Sequence, residues 1–157
     1  LFITWLGNPN QAVLSLVIFS IGLFIIGLKK ESWILIFSTL GAVGISEILK
    51  VFVLRPRPDA ALINQLEFFY RNDSFPSGHV LFFMGFYGFI MFLTYTRIKK
   101  INLRNLITSF FLGLIILVGI SRIYLGSHWF SDTIAAYLIG SVWLYFVILL
   151  FKKFKVQ

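Results

Sequence analysis

Long uncharged apolar stretches limit what this chain can fold into more than any other feature. Ala12 to Leu28, Val80 to Tyr95, Leu106 to Ile120 and Thr133 to Phe151 contain no Asp, Glu, Lys or Arg, and Trp33 to Leu49 contains only Glu47. A hydrocarbon core about 30 Å thick is crossed by about 20 apolar residues in helical form. Inside it every backbone N–H and C=O must be bonded within the segment, which a helix achieves by itself. The fourth run is short but can extend through Arg122. Five such runs predict an all-α, polytopic bundle of membrane helices in a single domain covering residues 1–157. Composition agrees: 59% of residues are hydrophobic and 13% are charged, against about a quarter charged in soluble domains. Leu1 to Leu6 is apolar, too short to span, and ends at the turn signal Gly7-Asn8-Pro9-Asn10. It is expected to be the end of a helix that begins upstream, giving six spans in the full-length protein, or an interfacial piece with Trp5 at the boundary. The chain has no cysteine, so disulfides and thiolate metal sites are excluded.

The net charge of +8 raises the question of nucleic acid. The basic residues answer it by flanking the apolar runs, as membrane topology requires. Lys29, Lys30, Arg97, Lys99, Lys100, Arg104, Lys152, Lys153 and Lys155 are nine of the fourteen Lys and Arg residues, and with five spans they share one face. The positive-inside rule makes that face cytoplasmic, and the small size without extra domains leads us to expect a bacterial cytoplasmic membrane. The polar segment 50–77 and the stretch 121–132 then share the extracytoplasmic face. Pro56 and Pro58 prevent a continuous helix there, and Leu62 to Tyr70 is expected to form a short amphipathic helix on the membrane surface.

Three clusters meet on that second face. Lys50, Arg55, Arg57 and two prolines close the second span; they are snorkelling anchors or ligands for a multivalent anion. Pro76-Ser77-Gly78-His79 opens the third span, where free N–H groups and the helix dipole favour an anion. Its plain reading is a Ser-capped helix with an interfacial histidine. Arg122, His128 and Asp132 stand at the junction before the last span, where the plain reading is again a helix cap. If a helix begins near His128, Asp132 four residues on lies on the same face. A carboxylate beside an imidazole fixes its tautomer and readies the other nitrogen as nucleophile or base. The chain's two histidines therefore both lie at helix starts, on one face, beside anion-binding groups.

These residue types specify a chemistry. Several cations, a backbone anion nest and two imidazoles are present, without the carboxylate cluster that would hold a metal. Phosphoryl transfer by such a set needs cationic clamps, an in-line nucleophile and an acid for the leaving oxygen. His128 is expected to attack phosphorus and form a phosphohistidine, with Asp132 orienting it. His79 is expected to protonate the leaving oxygen and then help to activate water. Lys50, Arg57, Arg122 and the Ser77–Gly78 backbone are expected to hold the phosphoryl group.

At these residues the sequence resembles the type 2 phosphatidic acid phosphatase (PAP2) superfamily. The family's motifs K-x6-R-P, P-S-G-H and S-R-x5-H-x3-D stand here as Lys50 to Arg57-Pro58, Pro76 to His79, and Ser121-Arg122 to His128 to Asp132. The resemblance covers Lys50 to Asp132. It implies a helical bundle with His128 as nucleophile and His79 as acid and base; the missing carboxylate cluster leads us to expect no cofactor. It also implies a site at the outer membrane–water boundary, acting on lipid phosphates or diphosphates. Undecaprenyl diphosphate, phosphatidylglycerophosphate and phosphatidic acid are the candidate substrates, entering sideways between helices. A lipid phosphotransferase would use the same intermediate, and a non-catalytic lipid-phosphate binder or transporter would use the cations alone. Arg55 is not a fixed position of the family.

Overall fold

The structure, a computed structural model, describes residues 2–59 and 73–153. Its helices are α1 (Phe2–Leu6), α2 (Pro9–Ile25), α3 (Lys29–Val53), α4 (Gly78–Arg97), α5 (Ile101–Tyr124) and α6 (Phe130–Lys153). The expected surface helix over Leu62–Tyr70 lies outside the described residues. Among the described residues α3, α4, α5 and α6 are long and apolar enough to cross a membrane, while the equally apolar α2 is shorter. The chain is an integral membrane protein.

The helices run past the limits that charge alone suggests. The second span starts at Lys29 rather than Trp33 and continues through Lys50 to Val53. The fourth takes in both Arg104 and Arg122. Long cationic side chains let a helix continue into the interface because their heads reach water while their stems stay apolar. Proline sets the sharper boundaries. Pro9 takes the first turn of α2, where its missing N–H is harmless. The α3 helix stops at Leu54, left-handed at φ 49°, two residues before Pro56, which disfavours helical geometry just ahead of it.

Helix α4 is the centre of the bundle and packs against α3, α5 and α6. Val80, Leu81, Phe83, Phe86 and Phe89 are fully buried, and Phe82 stacks on Phe86 with ring centroids 5.4 Å apart. At Gly85 the α3 backbone comes so close that an added Cβ would lie 2.8 Å from the Ser38 carbonyl oxygen and 2.7 Å from Ala42 Cβ. Small residues at such crossings bring membrane helices into contact.

Outward, the polarity is reversed from that of a soluble protein. Ile25, Phe52, Leu106 and Val142 are strongly exposed, while hydroxyls turn inward. Ser38 Oγ donates to the Gly85 carbonyl at 2.7 Å, and Tyr137 OH donates to the Ile115 carbonyl at 2.6 Å. One end of the bundle carries an ion pair between Glu31 and Arg97 and Lys30 over the Phe151 ring at 4.8 Å. The other end gathers the C-termini of α3 and α5 and the N-termini of α4 and α6, so the three polar clusters meet there.

Candidate active site

Two non-helical segments and the turn before α6 are stitched together at this end. Pro56 and Asp73 form an antiparallel bridge, Ser74 N–H donates to the Arg55 carbonyl at 2.8 Å, and Ser74 Oγ donates to the Pro56 carbonyl at 3.0 Å. Trp129 Nε1–H donates to that same Pro56 carbonyl at 2.9 Å. Arg57 Nη1 donates to the Ser127 carbonyl at 2.7 Å, which aims its guanidinium across the turn. Backbone groups without helical partners are thereby satisfied, and the arginine fork is fixed in direction.

Lys50, Arg57, Gly78, His79, Arg122 and His128 all line one cavity of about 730 Å³. Arg122 and His128 are nearly wholly buried, with 3% and 4% of their surface exposed. Asp132 and Ser77 are fully buried and are not among the lining residues. Gly78 brings the start of α4 up to α3, where a Cβ would stand 3.4 Å from Lys50 Nζ and 3.2 Å from Ser46 Oγ. Ser77 occupies the N-cap position of α4 without making a side-chain cap. Its buried Oγ has no hydrogen-bond partner among the described residues. Lys50 is anchored by Glu47, Nζ to Oε1 at 2.8 Å, one helical turn back.

His128 lies two residues ahead of α6, which begins at Phe130. Asp132 still comes near it, with Oδ2 3.8 Å from Nδ1. That distance is a charge contact, longer than a hydrogen bond. The group that receives Nδ1–H is the Ser74 carbonyl at 2.7 Å. The carboxylate expected to orient the ring is thus joined by a backbone carbonyl, which receives Nδ1–H and fixes the tautomer. Fixing the proton on Nδ1 leaves Nε2 with its lone pair. Asp132 is itself held by Arg55 Nη1 on Oδ1 at 2.7 Å and by the Trp129 N–H on Oδ2 at 3.0 Å.

The His128 imidazole is held below its ordinary value of 6.5, first by burial and further by the Arg122 and Arg57 charges; Asp132 and the Ser74 carbonyl oppose this. A neutral ring at neutral pH is the form a nucleophile requires.

Some site groups carried no readable signal in the sequence. Ser74 contributes a backbone carbonyl, which any residue possesses. Arg55 was visible as a charge, but its tie to Asp132, 77 positions away, depends on the tertiary fold. Ser46, buried and on the cavity wall, reads in sequence as one more small residue of an apolar run. Among the described residues no group of three or more His, Asp or Glu side chains is placed to hold a metal ion.

Away from the cations the cavity wall is apolar. Ala12, Val13 and Leu16 of α2, Leu40 and Val43 of α3 and Phe82 of α4 contribute to it.

Comparison with known proteins adds three findings. The family model of the PAP2 superfamily matches residues 31–155. Phosphatidylglycerophosphatase B of Bacillus subtilis (strain 168) is 30% identical over an alignment of 145 residues that covers 88% of this chain and 66% of that protein. The chain thus spans just under two thirds of that relative's length. A crystal structure of a transmembrane PAP2-type phosphatidylglycerolphosphate phosphatase from Bacillus subtilis superposes with a TM-score of 0.85 at 24% identity, covering 96% of this chain and 74% of that one. At that identity the likeness speaks for the fold.

Proposed function

The chain belongs to the PAP2 superfamily, and from that premise we propose that it is a metal-independent lipid phosphatase working through a phosphohistidine. The observation that carries this reading is the shared cavity: two imidazoles, three cations and the start of α4 line it together with apolar side chains of α2 and α3. Phosphate belongs beside the charged groups and an acyl or prenyl tail beside the apolar ones.

The chemistry proceeds in two displacements. The Nε2 lone pair of His128 attacks phosphorus, an N–P bond forms, and the P–O bond to the lipid breaks. The departing oxygen takes a proton from His79. Water then attacks the phosphorus, giving its proton back to His79, and the N–P bond breaks to release inorganic phosphate. Lys50, Arg57 and Arg122, with the free N–H groups of α4, bear the charge that builds on the equatorial oxygens. A resident metal has no assigned step in this scheme. Arg122 suits the clamp because its guanidinium stays charged even when buried.

Phosphatidylglycerophosphate ranks first among substrates because the curated relative is named for it, ahead of phosphatidic acid and undecaprenyl diphosphate. The site is assigned to the extracytoplasmic side, since the opposite end carries most of the Lys and Arg residues. Phosphate release from a panel of these three lipids, with EDTA present and His128→Ala as control, tests the reading. Release that depends on His128 supports it. Equal release by the variant, or none by the wild type, rejects it.

A further inference from the structure

Thr4 is tied to two of the three site clusters at once. Its carbonyl lies 3.2 Å from Nε2 of His79, and its Oγ1 is 2.7 Å from Oγ of Ser121, the residue before Arg122. Thr4 is itself 3% exposed and sits in α1, ahead of the residues 31–155 that carry the family match. Three residues on, Gly7 closes the contact. An added Cβ there would stand 2.4 Å from Cδ2 of His79 and 3.1 Å from Phe83. Gly7, Asn8 and Pro9 also line the cavity.

The arrangement parallels the one at His128. There a backbone carbonyl from a distant segment receives Nδ1–H and frees Nε2. At His79 a backbone carbonyl from α1 receives Nε2–H, so the nitrogen left to exchange a proton with substrate is Nδ1. A carbonyl cannot be chosen by side-chain identity, so its position must be set by something else. For Thr4 that is the hydroxyl bond to α5, together with the close seat at Gly7. A valine at position 4 has the same outline and keeps the carbonyl but loses the anchor.

We infer that Thr4 and Gly7 are positioning residues for the proton donor: they hold the His79 ring so that Nδ1 faces the leaving oxygen. This rests on the phosphatase reading above. Their effect falls on the step that needs a proton. A lipid alkoxide leaves poorly and requires one, whereas an aryl phosphate with a stable phenolate leaves without help.

The test compares two esters on the full chain in detergent: p-nitrophenyl phosphate and a short-chain phosphatidylglycerophosphate, the lipid ranked first above. Thr4→Val and Gly7→Ala should each lower kcat/KM, which reports the steps up to phosphohistidine formation and not the later hydrolysis that both esters share, by about 10- to 100-fold on the lipid ester and by less than about threefold on the aryl ester. Thr4→Ser, which retains the hydroxyl, should restore the lipid rate. Equal losses on both esters, or no loss on either, overturn the inference, because a general disturbance of the fold does not distinguish leaving groups. A wild-type chain inert toward both esters overturns the phosphatase reading and this inference with it. Lipid-selective loss that Thr4→Ser repairs establishes the role.

Discussion

Arg55 and Asp132 form an ion pair of 2.7 Å in which the carboxylate is wholly buried and the guanidinium is about one third exposed. The same arginine donates to Ser131 Oγ at 2.8 Å and covers the Trp129 ring at 5.6 Å. It therefore ties the end of α3 to the first turn of α6. Asp132 answers to two cationic neighbours, the arginine and, when protonated, His128. Arg55→Ala should leave the buried carboxylate short of one partner and cost about 1–2 kcal/mol, a value reduced from that of a fully buried pair by the exposure of Arg55. It should also raise the His128 pKa, because a less neutralised Asp132 favours the imidazolium. Thermal unfolding in detergent reads the first effect. A shift of the acid limb of kcat/KM to higher pH reads the second.

Asp132→Asn should slow turnover without abolishing it. The Ser74 carbonyl still fixes the His128 tautomer, so the loss is that of a supporting group, about 10- to 100-fold in kcat. His128→Ala removes the proposed nucleophile and should leave no turnover. Single-turnover labelling with 32P-substrate, followed by alkaline quench to preserve an N–P bond, should show label on the wild type and none on His128→Ala. A variant at 132 as inactive as the one at 128 would place the carboxylate in the chemistry rather than behind it.

Burial holds His128 below 6.5, and this has two consequences with defined signs. The acid limb of kcat/KM should fall below that value, so activity persists into mildly acidic medium. Stability behaves differently. Below 6.5 the unfolded chain binds a proton at this residue while the folded chain does not, so acidification favours unfolding. The loss begins near 6.5 and ends once pH drops below the depressed folded value. His128→Gln should flatten that part of the stability profile, measured by unfolding midpoint against pH.

Vanadate resembles the five-coordinate phosphorus of the transition state, so it should inhibit strongly. Arg122→Lys keeps the charge and loses the planar fork. The substitution should weaken vanadate by about 100-fold, in line with the loss of one oxyanion donor, and raise the substrate KM by much less. Inhibition constants measured beside KM separate a transition-state clamp from simple ground-state attraction.

Gly85→Val places a side chain where the Ser38 carbonyl and Ala42 already stand. Forcing α3 from α4 should destabilise the bundle by about 1–3 kcal/mol and move Lys50 on α3 away from His79 on α4. A fall in unfolding midpoint together with a lower kcat is expected, whereas Gly113→Ala, whose added Cβ meets nothing within 4 Å, should be near neutral in both.

Much of this architecture is legible in the sequence. The apolar runs located the spans, because a bilayer leaves few alternatives for an uncharged segment. Lys50, Arg57, His79, Arg122 and His128 could be placed together because each stood at a span end on the same side. Helix ends were less legible, since Lys29 and Arg104 sit in helices that charge alone would have ended. The orienting contacts at Ser74 and Thr4 were invisible, because both are backbone carbonyls. The long reach of Arg55 to Asp132 had no periodicity to betray it. Sequence patterns report which side chains are available, and backbone acceptors become apparent only when the chain is folded.

Helix α2, with 17 residues, rises about 26 Å at 1.5 Å per residue, short of a hydrocarbon layer about 30 Å deep. It also forms one wall of the cavity. Bilayer thinning around so short a helix would draw lipid headgroups inward next to the cavity. On the phosphatase reading proposed above, a phosphorylated lipid arriving on that flank would start already sunk toward the histidines, so turnover in vesicles should depend on acyl-chain length even when the headgroup is unchanged.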